Sequence, residues 1–171
     1  EVFFYDDNFT ANRKRVRELC RLILESGLEF SWTAQVRSDI ARDPELIRLM
    51  SQAGCRWFYI GFESISNETL EAMHKSQTRA DIENAIRTIH EQGINIHGMF
   101  IFGSDTDSVE SLRATAEFAV EHDIDTVQFM ILTPFPGTET YDAIVAADRL
   151  FHQQWDYYNG MFIVFQPKTM S

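Results

Sequence analysis

The stretch RWFYIGF, Arg56 to Phe62, is apolar at every position after the first and shows no alternation of polar with apolar residues. A strand with one face in water alternates, whereas a continuously apolar run belongs to a parallel sheet covered by helices. Working outward, runs of the same kind recur. Val2–Tyr5 is a short strand, LEFSWTAQV (28–36) a second, INIHGMFIFG (94–103) a fourth and TVQFMIL (126–132) a fifth, with MFIVFQP (161–167) a candidate extra strand in the tail. The strands start about 27 to 40 residues apart, the length of a strand plus its crossover helix.

Helical stretches fill the intervals. Residues 12–26 place Val16, Leu19, Cys20 and Ile23 at helical spacing before Gly27. Asp43-Pro44 reads as an N-cap with proline in the first turn, opening a helix that Gly54 ends. Ser66 starts a short helix reaching Met73, and Thr78-x-x-Asp81 is a capping box for a helix carrying Ile82, Ile86 and Ile89 up to Gly93. Further helices follow over 108–121 and 139–147. Repeated βα units give an α/β fold, either a doubly wound sheet or a partial (β/α) barrel. No Gly-x-Gly-x-x-Gly opens a helix, which weakens the dinucleotide-binding version.

Composition bounds the function. At 171 residues, 44% hydrophobic and 24% charged, the chain suits one globular domain. The net charge of −11 argues against a nucleic-acid partner. No apolar run is long enough to span a membrane, and no signal peptide is visible. The basic cluster Arg13, Lys14, Arg15, Arg17 reads as a solvated helix face. Cys20 and Cys55 have no metal-ligand spacing and read as buried structural thiols, which fits a reducing cytoplasm. The five histidines form no zinc pattern, and His97 reads as a satisfied core residue. Asp105-Thr106-Asp107 lacks the glycine and glutamate of a calcium loop. No Walker loop and no nucleophile elbow occur.

Polar residues gather where the strands end, the functional edge of either architecture. Asp6, Asp7 and Asn8 follow the first strand. Gln35, Arg37 and Asp39 follow the second and share a face if the chain stays extended. Glu63 and Ser64 follow the third; Ser104, Asp105 and Asp107 the fourth; Thr133 the fifth. Asp105 and Asp107 serve equally well as helix caps or ligand contacts, and Asp7 with Glu63 could act as general acid and base. Composition and periodicity end at a βα-repeat, enzyme-like domain.

Motifs carry the reading further. FYDDNFT (4–10), WTAQVRSD (32–39), DPELIRLMSQAGC (43–55), YIGFES (59–64) with MHK (73–75), GMFIFGSDTDS (98–108), FMILTPFPGTETY (129–141) and RLFHQQWDYYN (149–159) stand in one order over nearly the whole chain. In that series the chain resembles the radical S-adenosylmethionine (radical SAM) superfamily, and within it the class associated with a cobalamin-binding domain. The resemblance implies a partial TIM-like barrel binding S-adenosylmethionine across the strand ends. A 4Fe-4S cluster there reduces the sulfonium, and the resulting 5′-deoxyadenosyl radical abstracts hydrogen from a small-molecule substrate. It further implies that Asp6 and Asp7 meet the methionine amino end, that Glu63, next to Ser64, binds the ribose, and that Lys75 pairs with the methionine carboxylate. Met99, Ile101 and Gly103 would belong to the strand motif packing on adenine, with Thr133 and Pro134 nearby, and Arg37 would face the cavity to hold a carboxylate.

One departure is large. The family's Cys-x-x-x-Cys-x-x-Cys loop and the strand before it do not occur in this sequence, and Cys20 and Cys55 cannot replace three thiolates. The expectation is a C-terminal part of the catalytic barrel, strands two to six plus tail, with its first strand missing. Such a piece would be inactive by itself, and its open sheet edge could self-associate. Two other readings compete: a cluster-less barrel binding a nucleotide-like ligand, and an unrelated carboxylate-dependent barrel enzyme.

Overall fold

The apolar run becomes the middle of five parallel strands. The structure, a computed structural model, describes residues 1–170 of the chain. Its strands are β1 (Val2–Phe4), β2 (Trp32–Val36), β3 (Cys55–Glu63), β4 (Asn95–Phe102) and β5 (Thr126–Ile131), paired in the simple order β1-β2-β3-β4-β5. Between them lie α1 (Arg13–Ser26), α2 (Pro44–Gln52), α3 (Asn67–Ala72), α4 (Arg79–His90) and α5 (Val109–Glu121), and α6 (Glu139–Ala146) follows β5. A doubly wound sheet reverses its strand order at a switch point; this one never does. Of the two architectures the sequence allows, the sheet is therefore the barrel-type one, curved and not closed.

Helix starts are where the sequence puts them. Asp43 accepts the Leu46 N–H ahead of Pro44 and also takes the Arg17 guanidinium at 2.6 Å, fastening α1 to α2. Thr78 and Asp81 form the reciprocal box of α4. At α5 the cap is Ser108, neither Asp105 nor Asp107, because Ser108 pairs reciprocally with Ser111.

Only one face of the sheet is packed by helices. Trp32, Ala34, Val36, Phe58, Ile60, Phe62, Ile96 and Phe100 lie against Val16, Cys20, Leu46, Ile47, Met50, Ile82, Ile86 and Ile89 in one core. The intervening residues Tyr59, Gly61, Glu63, His97, Met99 and Ile101 are half-buried on the opposite, concave face. β3 thus alternates in burial although it does not alternate in polarity. Up to Glu63 at its end, its concave-face residues Trp57, Tyr59 and Gly61 are aromatic or glycine, which hydropathy does not separate from core.

Three sequence expectations are corrected. The chain does not stay extended after β2: the Arg37 carbonyl accepts the Ile40 N–H at 3.1 Å and residues Ser38–Arg42 form a 3-10 turn. That turn carries Asp39 away to Arg13 of α1, so Asp39 does not share a face with Gln35 and Arg37. His97 is not a core residue; its ring lies on the concave face against Tyr59 (4.3 Å between centroids) and bonds Thr126 Oγ1 at 2.8 Å. Residues 161–167 add no strand to the sheet and make one isolated antiparallel bridge, Leu150 to Phe165. There Val164 and Phe165 form a second small core with Ile144 of α6 and Tyr158. No helix among the described residues is long and apolar enough to cross a membrane.

One glycine is obligatory for the α2–β3 connection. Gly54 has φ +95°, and a Cβ there would collide with the Phe30 carbonyl. Its own carbonyl accepts the Trp32 N–H at 3.0 Å and starts the β2 ladder. Gly54→Ala is expected to cost about 2–3 kcal/mol through strain and this backbone collision, read as a lower urea midpoint at unchanged slope.

Candidate functional site

Parallel pairing brings all five strand C-termini to one rim, and the candidate residues divide there by what holds them. β3 ends in a tight turn: the Ser64 N–H bonds the Phe62 carbonyl at 2.8 Å around Glu63, whose φ is +65°. This is the geometry of a γ-turn with positive φ, rare and strained for a residue with a side chain. Gln77 Nε2 donates to the same Phe62 carbonyl at 2.9 Å and locks it from the other side. Ser64 is buried and accepts the Ser66 N–H, so it shapes the turn rather than facing the rim.

The Glu63 side chain, only 15% exposed, takes the Lys75 ammonium at 2.7 Å. Lys75 is held just beyond α3 by its own N–H to the Leu70 carbonyl. The two residues expected to contact different parts of one ligand therefore satisfy each other in the ligand-free chain.

Asp6 and Asp7 part company. Asp6 pairs with Arg15 of α1 at 3.0 Å, on the helical layer, while Asp7 is exposed and has no ion-pair partner among the described residues. Arg37, where β2 turns off, is likewise exposed without an acid partner among those residues. Met99 is the register neighbour of Gly61 and Gln128 on the concave face.

Ile101 and Thr133 line an apolar slot of about 260 Å³ with Met130, Leu132, Phe135 and the tail turn Tyr158–Gly160. Pro134 is buried beside it without lining it. Gly103 adopts φ +95° and donates its N–H to Asp107, which holds the β4 turn together from inside. A groove of about 540 Å³ at the opposite end of the sheet, around Leu24, Phe30 and Arg56, holds none of the candidate residues.

Sequence reasoning missed how the tail is fastened. Arg149 grips Asp105 with its two terminal nitrogens, at 2.6 and 2.9 Å, and donates to the Gln166 carbonyl. Lys168 adds its backbone N–H and ammonium to Asp105, and Gly160 receives the Ile131 N–H at 2.7 Å. Asp105 is thus a strap for the tail, whose turn walls the slot. Nothing in the spacing of residues 105 and 149 announces this pair.

The two cysteines do not fit an iron–sulfur cluster. Both are buried in the helical layer, and burial pushes Cys20 up to about 11 and raises Cys55 as well, so neither is a thiolate. No group of three or more His, Cys, Asp or Glu among the described residues could hold a metal ion. S-adenosylmethionine fits better. The rim offers a low-exposure carboxylate, an ammonium, a free acid at Asp7 and an apolar slot, in keeping with a ligand that has hydroxyls, a carboxylate, an amine and a flat ring.

The strap has a pH signature. Desolvation pushes Asp105 up, but bonds from Arg149 and the Lys168 N–H and the charges of both outweigh it and hold the carboxyl below its ordinary value. A depressed folded pKa contributes stability that is complete above the unfolded value and lost as pH falls through the folded one. Tail protection from proteolysis should therefore persist at neutral pH and fail only below about pH 4. Arg149→Met should remove it at every pH.

Residues 1–119 match the family model described as the Radical SAM superfamily. Bacteriochlorophyllide d C-12(1)-methyltransferase of Chlorobaculum tepidum is 34% identical over 98% of this chain and 36% of its own length. The anaerobic magnesium-protoporphyrin IX monomethyl ester cyclase of Cereibacter sphaeroides is 28% identical over 97% of this chain and 27% of its own. The chain thus spans about a third of the curated relatives it matches. Among solved structures, the radical S-adenosylmethionine methyltransferase TsrM of Kitasatospora setae, with cobalamin and a 4Fe-4S cluster bound, has a TM-score of 0.72. It is 22% identical, over 85% of this chain and 30% of that one.

Proposed function

The chain belongs to the radical SAM superfamily, and from that premise we propose that it is the C-terminal part of a catalytic barrel, strands two to six plus the tail, whose rim binds S-adenosylmethionine. The observation that carries the reading is the Glu63–Lys75 pair, 2.7 Å apart at the end of the central strand. An ion pair at a strained rim turn is more than helix capping or packing requires. The ligand offers each partner a substitute: vicinal ribose hydroxyls donate to the Glu63 carboxylate, and the methionine carboxylate accepts from the Lys75 ammonium. Asp7, the acid of its pair without an ion-pair partner among the described residues, suits the methionine amine, and the slot lined by Ile101 and Thr133 suits adenine. Asp6, committed to Arg15, then positions the first rim turn rather than touching ligand.

For the whole protein we propose radical C–H chemistry on a small molecule, methylation or ring formation. The methyltransferase at 34% and the cyclase at 28% identity support that range. A 4Fe-4S cluster would supply reducing electrons to the sulfonium, but it would have to be held by thiolates other than Cys20 and Cys55, so no step is assigned to those residues. Cobalamin belongs to the same proposal, with no residue of this chain assigned to it. The net charge of −11 supports a small-molecule partner over nucleic acid, and two unpaired buried thiols are in keeping with a cytoplasmic setting. The β1 edge, with Val2 and Phe3 exposed, supports pairing with another strand, of the same polypeptide or of a second copy.

Two experiments test this. In the intact protein, Glu63→Ala and Lys75→Ala should each weaken S-adenosylmethionine binding about tenfold or more by calorimetry; unchanged affinity in both would remove the site. Anaerobic reconstitution of the intact protein with iron and sulfide should give a cluster and 5′-deoxyadenosine on reduction. Failure to take up iron would remove the radical reading.

A further inference from the structure

Gly61 lies two residues before Glu63, on the same concave face of β3. The side chains at 60 and 62 point the other way and are fully buried in the helical core. The strand register slips between Gly61 and Glu63 where the γ-turn begins. Glu63 does not project outward from this turn. Its carboxylate folds back along the strand, so far that a Cβ on Gly61 would sit 2.6 Å from Oε1, 3.4 Å from the carboxyl carbon and 3.8 Å from Oε2. These three are the nearest atoms such a Cβ would meet, and all belong to one side-chain end. No backbone atom is among them, unlike at Gly54.

We propose that Gly61 is a positioning residue for the Glu63 carboxylate: the empty concave face at 61 is the seat in which that carboxylate rests. The backbone of Glu63 cannot adjust, because the Phe62 carbonyl is bonded by both the Ser64 N–H and Gln77. Any group at 61 larger than hydrogen must therefore be accommodated by rotating the carboxylate out of its seat. Rotation takes it off Lys75, at present 2.7 Å away, and off the position where it would accept from a ligand hydroxyl. The strand itself has no need of glycine here, since Gly61 is not among the residues with positive φ. Its absence of side chain is thus explained by its neighbour, not by the fold.

The proposal rests on Glu63 contacting S-adenosylmethionine, and a double-mutant cycle on the intact, cluster-loaded protein separates the two claims. S-adenosylmethionine is titrated into wild type, Gly61→Ala, Glu63→Ala and the double variant, and the melting temperature of each is recorded. Gly61→Ala should melt close to wild type and bind about tenfold more weakly. In the Glu63→Ala background the same change should cost no further affinity. Full affinity in Gly61→Ala beside a weakened Glu63→Ala would overturn the role of Gly61 alone. An equal loss with and without Glu63 would also overturn it, because the methyl would then obstruct ligand directly. Unchanged binding in Glu63→Ala would remove the parent reading. Should Gly61→Ala melt low, recovery of stability on removing Glu63 supports the seat, and no recovery refutes it.

Discussion

Everything at the rim depends on parallel pairing in unbroken sequence order. A parallel neighbour can be reached only by crossing back over the sheet, and crossovers are almost always right-handed. With the strand order never reversing, those crossovers stack the helices on one face. That face, from Trp32 to Phe100, becomes the core. The other face is left without helices, and all strand C-termini arrive at one edge. Glu63, Asp7, Arg37 and Thr133 need no individual device to meet at that edge; the topology delivers them.

Individual devices decide what each residue does once there. Asp6 and Asp7 are adjacent and chemically identical, yet Arg15 draws one into the helical layer and leaves the other exposed. Asp105 and Asp107, two residues apart, are separated in the same way. One straps the tail through Arg149, and the other folds its own turn by accepting the Gly103 and Ser104 N–H groups. Glu63 is the most constrained of all, held by a strained turn, by Lys75 and by the empty place at Gly61. Such strain persists only where the surroundings over-determine it, and here Gln77, Ser64 and the β4 ladder do so.

The outer layer also divides. Helices α1, α2 and α4, with parts of α3 and α5, serve the main core. Helix α6 leaves it and packs with Tyr158, Val164 and Phe165. Val127 and Phe129 on the outer face of β5 remain exposed as a result. The tail, which periodicity suggested as a further strand, is instead a strap across the rim that walls the slot beside Ile101.

From β1 to α6 the sequence by itself determined the order and type of the elements, because those follow from short-range physics: apolar runs, the capping chemistry of Asp43, Ser66 and Thr78, and glycines where chains must turn. It also carried the family, through motifs whose order spans most of the chain, and with it the rim residues worth inspecting. Periodicity left a doubly wound and a barrel-type sheet open, because both are written with the same βα repeats; the family motifs pointed to the barrel, and the unreversed strand order seen in the tertiary structure bears that out. Only the tertiary structure separated the two faces of β3, since Tyr59 and Phe58 are equally apolar and differ only in what lies above them. It alone paired Glu63 with Lys75, Asp6 with Arg15 and Asp105 with Arg149. Ion pairs between residues many positions apart leave no periodic trace, and which carboxylate remains free for a ligand is settled by the cations that folding brings beside it.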